Sequence, residues 1–186
     1  MALDTILLVA GGLIVLVVLF FIFAYNGLVS LRARVANAWA QIDVQLTKRY
    51  ELVPNLVETV KGYAKHEKDI FENVTKARSM WAGASTVGEK AKADASFAGA
   101  LKSLIAVAEN YPQLKANENF KLLQEQLDGI ESKVAYARQA YNDSVLEYNT
   151  KIQTIPDAII AGPLGFSAKE YFKADEEAHE AVKVKF

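Results

Sequence analysis

The chain reads as an all-α protein: an N-terminal transmembrane helix that continues into a long antiparallel helical bundle of about four helices. Three observations lead there. Ile6 to Ala24, ILLVAGGLIVLVVLFFIFA, is an unbroken apolar run, with no charge between Asp4 and Arg32. Beyond it, apolar residues recur at steps of three and four through most of the chain. The most regular of these stripes, Phe120 to Ile152, is long enough to form a coiled-coil-like seam.

The apolar run comes first. At about 1.5 Å of rise per residue, a helix of this length crosses the roughly 30 Å hydrocarbon core of a bilayer. Within lipid, a single span satisfies its backbone only as a helix. A cleaved secretory signal would want a basic start, a shorter apolar core and a small-residue cleavage site. Met1 to Thr5 has no Lys or Arg, and FFIFAYN offers no such site. An uncleaved anchor is therefore expected, organised as a stub at 1–5, a span at 6–25, a bundle at 26–166 and a charged tail at 167–186. Tyr25 stands where an interfacial aromatic belongs, with Arg32 and Arg34 following. With Lys48 and Arg49 further on, the positive-inside rule places the bundle in the cytoplasm.

Past the anchor lie roughly 160 residues, enough for one core. Leu28, Leu31, Val35, Ala38, Ile42 and Leu46 carry the stripe straight out of the span, so the anchor and the first helix beyond it are expected to form one rod of around 45 residues. Pro54, which lacks an amide and disfavours helix at Val53, is expected to end or kink it. A second helix is expected from Pro54 to Trp81, weakened between Gly62 and Asp69, and Gly83 to Lys90 reads as a flexible loop. Phe97, Leu101, Leu104, Ile105 and Ala108 mark a third helix that stops near Tyr111 and Pro112. The Phe120 to Ile152 seam includes Ala137, Tyr141 and Tyr148, which suits an antiparallel bundle better than a Leu/Ile zipper. Ile155 to Phe166, with two prolines and two glycines, cannot continue that helix, and the tail ends in an alternating VKVKF that suits a short extended piece.

The run IDVQLTKRYELVPNLVETVKGYAKHE, Ile42 to Glu67, resembles the LemA family of bacterial single-span membrane proteins. Further matches follow in order: VTKAR at Val74 to Arg78, AVAENYPQLKA at Ala106 to Ala116, ARQAYN at Ala137 to Asn142, Tyr148-Asn149, then GF and YF near the end. The resemblance implies a helical bundle on an N-terminal anchor, in the bacterial cytoplasmic membrane. It implies no reaction and supplies no catalytic residues.

Composition narrows the function further. The 21 basic and 22 acidic residues are balanced and nowhere densely basic, which argues against nucleic acid. Absence of cysteine excludes disulfides, thiolate metal sites and thiol nucleophiles. Of the two histidines, His66 lies in a polar break. His179 belongs to Glu176-x-x-His179, half of a di-iron carboxylate pattern that lacks its second copy. Hydrolase, NTPase, dehydrogenase and zinc-protease motifs are missing. No cofactor is expected.

KRYELVPNLVE supplies a candidate interaction corner: Lys48, Arg49, Pro54, Asn55 and Glu58. It reads either as a structural bend with local ion pairs or as a self-association surface. Trp39 and Trp81 fall at core spacing. Ile155 to Phe166 is too apolar for a bare connector, and its cover is the bundle with Phe166, Tyr171 and Phe172, a neighbouring subunit, or lipid. The functional expectation is a non-enzymatic, membrane-anchored scaffold or membrane-organising element that self-associates. The alternative is an accessory or signalling adaptor subunit for another membrane protein. The expected partners are the lipid bilayer and further copies of the chain.

Overall fold

The computed structural model describes residues 2–173. Among them are six helices and no strand: α1 (Ala2–Lys61), α2 (Lys68–Gly83), α3 (Val87–Ala108), α4 (Pro112–Ala116), α5 (Glu118–Gln153) and α6 (Asp157–Ala161). The all-α expectation holds. The VKVKF ending, Glu176 and His179 lie outside the described residues.

The boundary between the first two helices differs from expectation. α1 passes through Pro54 without ending and runs to Lys61. Proline in a helix interior costs about 3 kcal/mol. On the same stripe, however, Val53, Leu56 and Val60 are all fully buried. Each such side chain contributes about 1.5–3 kcal/mol, so their burial outweighs the proline. The chain breaks at Gly62 to Glu67, where the polar interruption was expected. Gly27 leaves the helix uninterrupted.

The flexible loop also shrinks. α3 starts at Val87 because Thr86 and Glu89 form a capping box: the Glu89 amide donates to the Thr86 hydroxyl at 3.1 Å, and the Thr86 amide to the Glu89 carboxylate at 3.0 Å. Only 84–86 separate the two helices.

The chain divides into two compact units. One comprises 1–39 and 141–169. Every described residue before Ala24 is exposed, and burial begins at Ala24, Leu28, Leu31, Val35 and Ala38. Arg34 pairs with Glu147 at 2.9 Å, and the Trp39 ring lies 5.5 Å from that of Tyr141. Numbers rise along α1 as they fall along α5, so the two run antiparallel here.

The other unit comprises 40–140 and, of the described residues beyond Lys169, 170–173. Its core gathers Val53, Leu56 and Val60 from α1, Phe71, Val74 and Ala77 from α2, Phe97, Leu101 and Leu104 from α3, and Phe120 and Leu127 from α5. Leu114 of the single-turn α4 is fully buried in the same core.

Candidate functional site

The most concentrated chemistry is a buried charge network. Arg49, on the inward stripe of α1 between Leu46 and Val53, is 1% exposed, as is Asp94 beside Ala93 and Phe97 on α3. Arg49 Nη2 donates to Asp94 Oδ1, and Nη1 donates to Glu131 Oε1 on α5. Asp94 Oδ2 takes an ion pair from Arg138 Nη2, two helical turns beyond Glu131. Asp94 thus bridges two guanidinium groups, and Arg49 bridges two carboxylates. Arginine's planar fork suits the latter, because its two terminal nitrogens donate in fixed, separate directions.

Aromatic faces complete the packing. The Arg49 guanidinium lies 5.4 Å from the Phe97 ring centre, and that of Arg138 lies 4.9 Å from Phe172. The Nε atoms of both arginines are buried with no hydrogen-bond partner. The two positive and two negative groups balance. Such an arrangement fixes three helices and the 170–173 segment in one register, and it presents no open nucleophile or proton donor. Its acidic groups are engaged with arginine rather than poised around an ion. Among the described residues, no group of three or more His, Asp or Glu side chains is placed to hold a metal.

A second constellation lies in the other unit, where Tyr148 and Asn149 clasp the chain that follows α6. The Tyr148 hydroxyl donates to the Ser167 carbonyl at 3.1 Å. The Asn149 amide donates to the Lys169 carbonyl and accepts from the Lys169 amide, both at 2.8 Å, as a neighbouring strand would. Burial pushes the Tyr148 phenol above its ordinary value, partly opposed by the positive charge of Arg32. Phe166 is buried, with its ring 5.9 Å from that of Tyr25 and 5.1 Å from the Arg32 guanidinium.

The residues of the expected corner separate. Arg49 belongs to the interior and presents nothing to a partner. Pro54 is half-buried within α1, which continues past it to Lys61, so it does not end the helix. Asn55 is exposed and caps no helix, its carbonyl accepting the Thr59 hydroxyl at 2.7 Å. Glu58 meets Lys61 at 2.9 Å in an exposed pair of little energetic weight. Lys48 lines a shallow groove of about 440 Å³ with Glu51, Leu52, Gln126, Gly129, Ile130 and Lys133. Of the expected membrane-interface residues, Tyr25 and Arg32 both meet Phe166, whereas Arg34 pairs with Glu147. Trp39 packs on Tyr141, Trp81 lies under Lys90 at 5.0 Å, and His66 is exposed.

Sequence reasoning did not single out Asp94, Glu131 or Arg138. The signal was a charged residue on or beside an inward stripe: Asp94 next to Ala93 and Phe97, Arg138 next to Ala137.

The model of the LemA family matches residues 38–186, which include Arg49, Asp94, Glu131 and Arg138. The chain belongs to the LemA family. It is also similar to the magnetosome protein MamQ of Magnetospirillum gryphiswaldense, at 26% identity over 80% of this chain and 64% of that protein. Magnetosome protein MamQ 2 of Paramagnetospirillum magneticum is 25% identical over the same shares. The chain thus spans just under two thirds of the length of these relatives. Neither the family description nor these names denote an enzymatic activity. The relatives and the exposed apolar helix are consistent with a LemA-type protein anchored in a membrane.

Proposed function

We propose that this LemA protein is a non-enzymatic scaffold in the bacterial cytoplasmic membrane that works by self-association, with the domain beyond the span on the cytoplasmic side. The observation that carries this reading is the continuity of α1, whose exposed apolar N-terminal part runs without a break into residues buried in a helical core. The interior charges are spent on one another. What remains for function is therefore surface, held beside a membrane.

Confinement by an anchor raises effective concentration, so a weak contact suffices for assembly. The groove beside Lys48, Glu51 and Lys133 carries both signs of charge and the bare backbone of Gly129, features that suit a second copy of the chain. The relatives named as magnetosome proteins fit a role tied to a membrane structure.

The test uses the natural absence of cysteine. A single Gln126→Cys variant, oxidised in native membranes, is expected to give a disulfide-linked dimer. Monomer alone across a range of expression levels would refute self-association through this face. A single abundant heterologous protein co-purifying in mild detergent would favour the adaptor reading. Protease added outside sealed cells is expected to leave the 84–86 connection intact, and cleavage there would reverse the orientation.

A further inference from the structure

The turn between α5 and the clasped segment supplies an apolar surface that the core does not use. α6 turns Ile160 and Ala161 inward, yet Ile155 is 82% exposed, Ile159 65% and Leu164 51%. Pro156 and Pro163 are exposed beside them. The one charged residue between Ile155 and Phe166 is Asp157, which is buried and paired with Lys151 at 2.8 Å. The outward face of this turn therefore carries no charge.

Its height along α1 follows from contacts within the same unit. The antiparallel pairs Arg34 with Glu147 and Trp39 with Tyr141 set the register. Continued by two turns, that register brings Gln153 to Ile155 level with Asn26 to Leu28. Phe166, at the other end of the turn, meets the Tyr25 ring directly. Burial on α1 starts at Ala24, and the uncharged apolar run ends at the same residue. The exposed isoleucines thus stand where the span leaves the hydrocarbon. By the same register Lys151 stands level with Ser30, and with Arg32 it lies about one turn or more further from the span, at a depth where lipid phosphates would be met.

We propose that the 155–166 turn is an interfacial foot, bedding Ile155, Ile159 and Leu164 in the boundary between lipid headgroups and acyl chains beside the span. Apolar groups of this kind sit about 5–10 Å into that boundary. A second contact on one side of α1 fixes the rotation of the helix about its own axis, which a lone span leaves free. The inference rests on reading 6–25 as the membrane span, and the experiment separates the two.

Single-cysteine variants Ile159→Cys, Leu13→Cys and Ser103→Cys of the full chain carry an environment-sensitive fluorophore. Each is reconstituted in phosphatidylethanolamine–phosphatidylglycerol vesicles. The probes are lipids spin-labelled near the headgroup or near the acyl terminus, and aqueous iodide. The label at Ile159 is expected to be quenched several-fold more by the shallow lipid probe than the label at Ser103, and to resist iodide. A label at Ile155→Cys is expected to show the same shallow quenching and to lose it when Ile159→Glu and Leu164→Glu are added, while a label at Leu13→Cys in that doubly substituted chain stays deep. Iodide quenching at Ile159 equal to that at Ser103 would overturn the foot and leave the span standing. Protection from both probes would also overturn it, by showing that protein covers the turn. Absence of lipid quenching at Leu13 would overturn the span itself.

Discussion

Asp94→Ala tests whether the buried network organises the fold. The substitution removes the acceptor shared by Arg49 and Arg138. Arg138, with about a third of its side chain exposed, can turn its charge to water, whereas Arg49 at 1% exposure cannot. Arg49 would keep only the part-exposed Glu131, with Nη2 left buried and unpaired, so the cost approaches that of breaking a buried pair, about 3–5 kcal/mol. For a protein of this size each kcal/mol moves the melting temperature by about 2–4 °C, which predicts a fall of about 6–20 °C.

The assay is thermal unfolding of the full chain in mild detergent, followed by circular dichroism. Arg49→Met combined with Asp94→Leu removes the charge pair rather than breaking it, and is expected to recover most of the loss. The single-variant deficit should also persist in about 1 M salt, because screening by mobile ions does not reach a dry pair. An Asp94→Ala protein within about 1 kcal/mol of the parent would refute the reasoning, and so would a double variant that is worse than Asp94→Ala alone.

Pro54→Ala restores an amide inside α1 and is expected to stabilise the chain by about 1–3 kcal/mol, read as a higher melting temperature; a loss would mean that the proline's shape is needed. Hydrogen bonds, led by the Ser85 amide and followed by the Thr86 amide, hold the Glu89 carboxyl down to about 2 from the ordinary 4.5. Its contribution is therefore complete above about pH 4.5 and fades as pH falls toward 2, so Glu89→Gln should flatten acid-induced fraying of α3 followed by amide hydrogen exchange. Asn149→Asp keeps the acceptor for the Lys169 amide but loses the donor to its carbonyl, costing about 1 kcal/mol locally. Faster trypsin cleavage after Lys169 is the expected sign, and an unchanged rate would show that the clasp adds nothing.

Much of the helical plan was legible because burial follows periodicity. Leu28, Leu31, Val35, Ala38, Ile42 and Leu46 are all buried as their spacing required, and so are Phe120, Leu127, Val134, Tyr141, Val145 and Tyr148. The polar break after Gly62 was equally plain. Two boundaries failed for opposite reasons. At Pro54 a local rule was overridden by burial that only the assembled core supplies. At Val87 the local signal was present in TVGE, a capping box, and the flexible composition of the preceding residues obscured it. The clasp was visible only as separate fragments: the pair Tyr148-Asn149 and the GF and YF near the end acquire a reason when α5 is seen to hold the backbone running between them.

The charged stretch KRYELVPNLVE shows why the site was harder to read than the fold. Taken as a string, its charges gather around a proline and suggest one surface. Taken at helical period, the string is two faces. Arg49, Val53 and Leu56 point into the core, while Lys48, Glu51, Asn55 and Glu58 lie outside. The period can be applied to a charged residue only when its partners are known, and those of Arg49 lie 45 and 82 positions away. Once Asp94 and Glu131 are in place, the division has an experimental use. Substitutions at Lys48 and Glu51 alter the groove with little cost in stability, as exposed charges do. Substitution at Arg49 should lower stability first. A self-association defect from Lys48→Glu with an unchanged melting temperature would therefore locate an interface, whereas the same defect from Arg49→Ala would report only a damaged core.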